Sequence, residues 1–182
     1  MNDETREPFK RLFFALNCAP ALRRDIAQWR GALQLRNGRP VPAENFHLTL
    51  KFLGAVGVAQ IAGLCTAATS VRTPGKRLTV VLDRLDVWRR AGALVLAPQQ
   101  ASPALLRLVY ALEQAMLPFG LEQAPREYRP HLTLARDYRA PVPESATAPE
   151  FFLRADRFTL FESHKGRYRA LAEWPLLVVD RS

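Results

Sequence analysis

The pattern of apolar and polar positions reads as strands and helices in alternation, with no long uninterrupted apolar segment. Arg11 to Asn17 (RLFFALN) forms a short apolar strand. Pro20 then opens a helix reaching about Leu33, with Leu22, Ile26, Trp29 and Leu33 at spacings of four, three and four. Asn37-Gly38-Arg39-Pro40 reads as a turn. Asn45 to Leu53 is a second strand closed by Gly54, and Ala59 to Val71 a helix stopped at Pro74-Gly75. Lys76 to Trp88 and Ala93 to Ala97 make a strand pair joined around Arg90-Ala91-Gly92. Ser102-Pro103 supplies a cap and a first-turn proline for a helix running to about Leu117. Glu127 to Ala135 reads as a strand and Pro141 to Pro149 as a loop. Strands follow near Phe151 to Glu162 and Tyr168 to Val179.

A repeat lies inside this order. Strand, helix and strand occur as Leu12–Leu16, Pro20–Leu33 and Phe46–Leu53, then again as Ala93–Ala97, Ser102–Leu117 and Tyr128–Ala135. The tetrapeptide His-Leu-Thr-Leu recurs 84 positions on, at His47 and at His131. Two copies of one unit place equivalent residues across a pseudo-two-fold axis.

Composition narrows the setting. A chain of 182 residues suits one domain, or two small lobes sharing a sheet. Runs such as Leu12 to Leu16 and Leu176 to Val179 are far too short to span a bilayer. The polar opening Met1-Asn2-Asp3-Glu4-Thr5-Arg6 lacks the apolar core of a secretory signal. Cys18 and Cys65 offer neither a disulfide framework nor a zinc quartet, so both are expected to be reduced packing residues in a cytoplasmic protein. The net charge of +9 favours polyanionic partners. Of the 26 cations only Lys10, Lys51, Lys76 and Lys165 are lysine, and an arginine bias of that kind also follows from a GC-rich genome. Charge alone therefore favours nucleic acid only modestly.

The chemistry concentrates in the repeated tetrapeptide, which holds two of the three histidines. Alternate residues of a strand face the same side. His47 and Thr49 therefore share one face while Leu48 and Leu50 pack on the other, and His131 and Thr133 share theirs in the same way. Two such strands meeting across a pseudo-dyad bring two imidazoles and two hydroxyls around one cleft. Phosphodiester hydrolysis needs a base to deprotonate water and an acid to protonate the departing sugar oxygen, and imidazole can do either near neutral pH. The hydroxyls can hold non-bridging oxygens, and Arg136 adds a fixed positive charge. A lone His-x-Thr is usually a solvated polar face; two identical copies at matching places in a repeat are a site.

Other features read as structure. His164, in Ser163-His164-Lys165-Gly166, is expected in an exposed hairpin turn. Pro74-Gly75-Lys76 lacks the upstream glycine and the following hydroxyl of a phosphate loop, because Ser70 and Arg77 stand there. Trp88, Trp174 and Phe119 are expected in core or hairpin packing. Arg89-Arg90 and Arg126…Arg129 read equally as an RNA path or as solvated turns. No spacing suggests a metal site, and no Gly-x-Ser-x-Gly marks a serine nucleophile.

With these residues in view, the two His-x-Thr-x motifs resemble the 2H phosphoesterase superfamily. RLFFAL, NFHLTLKFLG, RPHLTLAR and FTLFES…RYRALAEWPL look like its bacterial RNA 2′,3′-cyclic phosphodiesterase branch, also known as 2′-5′ RNA ligases. The likeness runs from about Arg11 to Val179. It implies a bilobal α/β (α+β) fold over residues 1–182, with antiparallel sheets flanking a central cleft and helices outside. It implies hydrolysis of an RNA 2′,3′-cyclic phosphate to a 2′-phosphate by a cytoplasmic monomer without metal or nucleotide cofactor. His47 would be the general acid and His131 the base, both rings being competent for either role. Thr49, Thr133 and Arg136 would bind the phosphate, and Phe52 would stack on a base. The alternatives are ligation of a cyclic phosphate to a 5′-hydroxyl, and a module that binds RNA ends without turnover.

Overall fold

The computed structural model describes residues 8–121 and 127–177. β1 (Phe9–Asn17) leads into α1 (Pro20–Ala32), which starts on Pro20 and buries Ile26. A two-residue strand β2 (Arg39–Pro40) precedes β3 (His47–Gly57) and α2 (Ile61–Thr69). β4 (Leu78–Leu82), β5 (Arg84–Trp88) and β6 (Ala93–Ala97) come next. α3 (Pro103–Met116) is capped by the Ser102 hydroxyl, which accepts from the Leu105 amide at 3.4 Å. β7 (Leu132–Arg136), β8 (Phe151–Ala155), β9 (Arg157–His164) and β10 (Arg167–Pro175) complete the chain.

Two four-stranded sheets carry the molecule, ordered β10-β9-β1-β3 and β2-β7-β6-β5, with a separate β4–β8 ladder. Every pairing in them is antiparallel. The repeat appears as β1–α1–β3 in one sheet and β6–α3–β7 in the other. Leu48, Leu50, Leu132 and Leu134 are almost fully buried and join Ile26, Leu108 and Leu112 of the helices in one core cluster. Burying each leucine stabilises the fold by roughly 1.5–3 kcal/mol, so the leucines fix which face of each tetrapeptide turns inward.

The two copies also share an irregularity. On β1, Phe14 pairs with Lys51 and Ala15 with Thr49, leaving Leu50 out of the ladder. On β6, Leu94 pairs with Ala135 and Val95 with Thr133, leaving Leu134 out. Each tetrapeptide thus ends on a β-bulge, a device that re-aims neighbouring side chains.

Several expectations need correction. Gly54 does not close β3: with φ of +76° it sits at a second bulge beside Leu53, and the ladder continues to Gly57. The turn expected at 37–40 ends in β2, whose Arg39 and Pro40 pair with Arg136 and Ala135. The single strand read over Lys76 to Trp88 is two, broken at Asp83, because β4 pairs with β8 and β5 with β6. Phe151 to Glu162 likewise breaks at Asp156, which ion-pairs with Arg77 at 2.6 Å. The second-motif strand starts at Leu132 rather than Glu127, since Pro130 has no N–H for a ladder. The last strand ends at Pro175, and Val178 and Val179 lie outside the described residues, as does Arg126. No helix among the described residues is long and apolar enough to cross a membrane.

Candidate active site

Each histidine is held by the backbone two residues before it. His47 Nδ1 lies 2.7 Å from the Asn45 carbonyl, and His131 Nδ1 lies 2.9 Å from the Arg129 carbonyl. A carbonyl can only accept, so both Nδ1 atoms carry the proton and each neutral ring presents a bare Nε2. His47 Nε2 accepts from the Thr49 hydroxyl at 2.8 Å. Among the described residues, His131 Nε2 has no hydrogen-bond partner. The sequence pattern brings His47 and Thr49 to one side of β3, and places His131 immediately before β7 with Thr133 on it.

Aromatic rings back both imidazoles. Phe13 and Tyr168 pack on His47 with centroids 4.9 and 5.0 Å away, and Phe161 extends this patch from β9. Trp88 packs on His131 at 4.2 Å, and the Arg129 guanidinium lies 4.3 Å from the Trp88 ring centroid. Trp88 is therefore more than hairpin packing: it forms the wall behind the second histidine. Trp174 is core, stacked on Phe158 at 5.1 Å with Nε1 donating to Thr69 at 2.9 Å. His164 ends β9 exposed, next to the positive-φ turn of Lys165 and Gly166.

Burial and positive charge lower the pKa of both rings. Burial is the main reason His47 is lowered from 6.5 to about 4, with Arg136, His131 and Arg23 adding repulsion and the Asn45 carbonyl opposing it. His131 is lowered by burial too, and then by Arg129 and Arg136. Arg136, exposed at the end of β7, thus bears on both histidines. With Asn45, Ser163, Gly166 and Tyr168 it lines a hollow of about 410 Å³, and of these Asn45 and Tyr168 touch His47. Phe52 is 45 % exposed and pairs across the ladder with Phe13, putting it on the cleft face.

Two ties join the copies. Tyr128 reaches from the approach to the second motif and donates to the Thr49 carbonyl at 2.8 Å. Arg30 of α1 donates to the carbonyls of Val41 and Leu134 at 2.6 and 2.8 Å. Sequence reasoning missed Phe13, Trp88, Tyr128 and Tyr168, whose roles depend on sheet order. No local signal marks them, because each lies on a different strand or segment from the motif residue it touches.

Paired antiparallel sheets with twin histidine-threonine strands define a two-histidine phosphoesterase. The chain belongs to the LigT like Phosphoesterase family, whose profile matches residues 16–95 and again 95–172, once for each half. It is 33 % identical over 172 residues to an RNA 2′,3′-cyclic phosphodiesterase of Escherichia coli (strain K12), covering 92 % of this chain and 97 % of that one. An RNA 2′,3′-cyclic phosphodiesterase of Bacillus subtilis (strain 168) is 32 % identical over 127 residues, covering 66 % and 69 %. A crystal structure of E. coli LigT complexed with 3′-AMP superposes with a TM-score of 0.81 at 32 % identity, covering 94 % of this chain and 100 % of that one.

Proposed function

We propose that this protein is an RNA 2′,3′-cyclic phosphodiesterase that opens the cyclic phosphate to a 2′-phosphate. The observation that carries the reading is the twin arrangement of His47 and His131, each tied at Nδ1 so that Nε2 is left for proton transfer. In the reaction, His131 Nε2 takes a proton from water as the water oxygen bonds to phosphorus. The bond from phosphorus to the 3′-oxygen breaks, and His47 Nε2–H protonates that oxygen. Thr49 and Thr133 hold the non-bridging oxygens, and Arg136 offsets the charge that builds on them. Phe52 offers a face to a base, and the hollow beside His47 is of a volume suited to a nucleoside.

His47 must be protonated to act as the acid, although burial lowers its pKa to about 4. The substrate supplies the remedy: a phosphate anion between the rings favours the imidazolium and opposes the repulsion from Arg136. The same reading makes the protein a cytoplasmic monomer needing neither metal nor nucleotide cofactor, and takes residues 1–182 as one bilobal domain. Its partners are RNAs with 2′,3′-cyclic phosphate ends.

The test is incubation with a short RNA ending in a 2′,3′-cyclic phosphate, in EDTA, with the product identified by mass and end-group mapping. The expected product is a 2′-phosphate. His47→Ala and His131→Ala should each reduce turnover by about 10²–10⁴-fold while remaining folded. Wild-type rates in either folded variant would overturn the mechanism, and a 2′-5′-linked product with a 5′-hydroxyl acceptor would instead identify ligation.

A further inference from the structure

A second hollow, of about 750 Å³, lies against α3 and shares no lining residue with the hollow near His47. It runs between the outward face of α3 and the segment that links α2 to β4. Arg72 and Lys76 line it from that segment, and Arg107 lines it from α3. All three cations are exposed and none has an acidic partner within ion-pair distance among the described residues. Their neighbour Arg77 differs, being engaged by Asp156. No acidic residue lines the hollow among the described residues. Three like charges around one hollow raise its potential and favour an anion there.

The hollow also has an apolar wall. Leu106 and Tyr110, four residues apart on α3, turn to solvent and are 40 % and 63 % exposed. The buried face of the helix is made instead by Leu105, Leu108, Val109, Leu112 and Met116. An exposed tyrosine beside three uncompensated cations is a combination suited to single-stranded nucleic acid, in which phosphates meet the cations and a base stacks on the ring. An acidic peptide would use the charges and leave the ring idle.

We propose that this groove is a second RNA-binding surface, which holds the strand at a distance from its cyclic end. The proposal rests on the function proposed above, because it takes the RNA substrate as occupant. Two contacts on one strand act through effective concentration, so longer substrates gain affinity without any change at the reacting phosphate.

The experiment compares RNAs of increasing length ending in a 2′,3′-cyclic phosphate, from a dinucleotide upward, with wild type and with Arg72→Gln/Lys76→Gln/Arg107→Gln. For wild type, KM should fall at a threshold length. The triple variant should lose that gain, about 10-fold or more at low salt, with its kcat on the dinucleotide unchanged. In fluorescence anisotropy with long 3′-hydroxyl RNA, its slope of log affinity against log salt should flatten by about 2. Tyr110→Ala should weaken binding of the long RNA by about 10-fold with the salt slope unaltered. Equal KM and equal salt slopes for wild type and triple variant would overturn the proposal. So would competition by polyglutamate that is as strong as RNA of equal charge and indifferent to Tyr110→Ala. The anisotropy arm stands without turnover, so failure of the proposed reaction and failure of the groove are read separately.

Discussion

A hydrogen bond to a carbonyl decides how each histidine can work. Asn45 and Arg129 hold the Nδ1 protons, so Nε2 is the one nitrogen of each ring left to accept a proton. The rings are also held by different company, His47 by Phe13 and Tyr168, His131 by Trp88 with Arg129 beyond it. Burying His47 disfavours its charged form. Folded, it is lowered from 6.5 to about 4, so between those values the unfolded chain binds more protons and stability rises with pH. Lowering the pH from 6.5 towards 4 should therefore remove up to roughly 3 kcal/mol. The urea midpoint of wild type should fall through this window more steeply than that of His47→Gln, and parallel falls would show that His47 is not the group responsible.

Between strands and helices, the tie made by Arg30 carries the most consequence. The bulge takes Leu134 out of the ladder, and its carbonyl is satisfied instead by Arg30 at 2.8 Å and by the Val41 amide at 2.9 Å. Arg30 also lies over Phe46, with its guanidinium carbon 5.0 Å from the ring centroid. Arg30→Ala removes a donor shared by two carbonyls, of which that of Leu134 keeps the Val41 amide, and should destabilise the protein by about 1–3 kcal/mol in chemical denaturation. A change below 0.5 kcal/mol, the scale of an ordinary surface substitution, would show that the tie is incidental. The repeat, both long helices and the alternation around His47 and His131 were legible in the chain, because two-residue and 3.6-residue periods are local. The breaks at Asp83 and Asp156 were not, since each follows from which distant strand is the neighbour. Gly54 misled for a related reason: a positive-φ glycine signals a change of direction without saying whether the strand ends or bulges. Trp88 was read as packing because nothing near it in sequence announces that β5 lies two strands from β7.

At the scale of the whole molecule the halves are interleaved. β2 comes from the first half and borders β7, whereas β9, from the end of the chain, borders β1 and carries β10 on its other edge. One buried cluster includes leucines of both tetrapeptides, and the Tyr128 bond spans from one motif to the other. The reading of one bilobal domain predicts a single cooperative transition, superimposable by near-UV and far-UV circular dichroism. Two resolved transitions would mean that the lobes fold separately.

The interleaving bears on the order in which a ribosome delivers the chain. β1 emerges early, yet the strand that covers its second edge is β9, about 150 residues later. Until then that edge, with Phe13 and Ala15 beside it, waits for Phe161 and Tyr168. The nascent first lobe therefore carries an unpaired strand edge throughout most of synthesis, the kind of surface that invites association with other chains. The packing around His47 is completed only when the last hairpin arrives, so a prematurely terminated chain holds both histidines but lacks the Tyr168 ring that backs one of them.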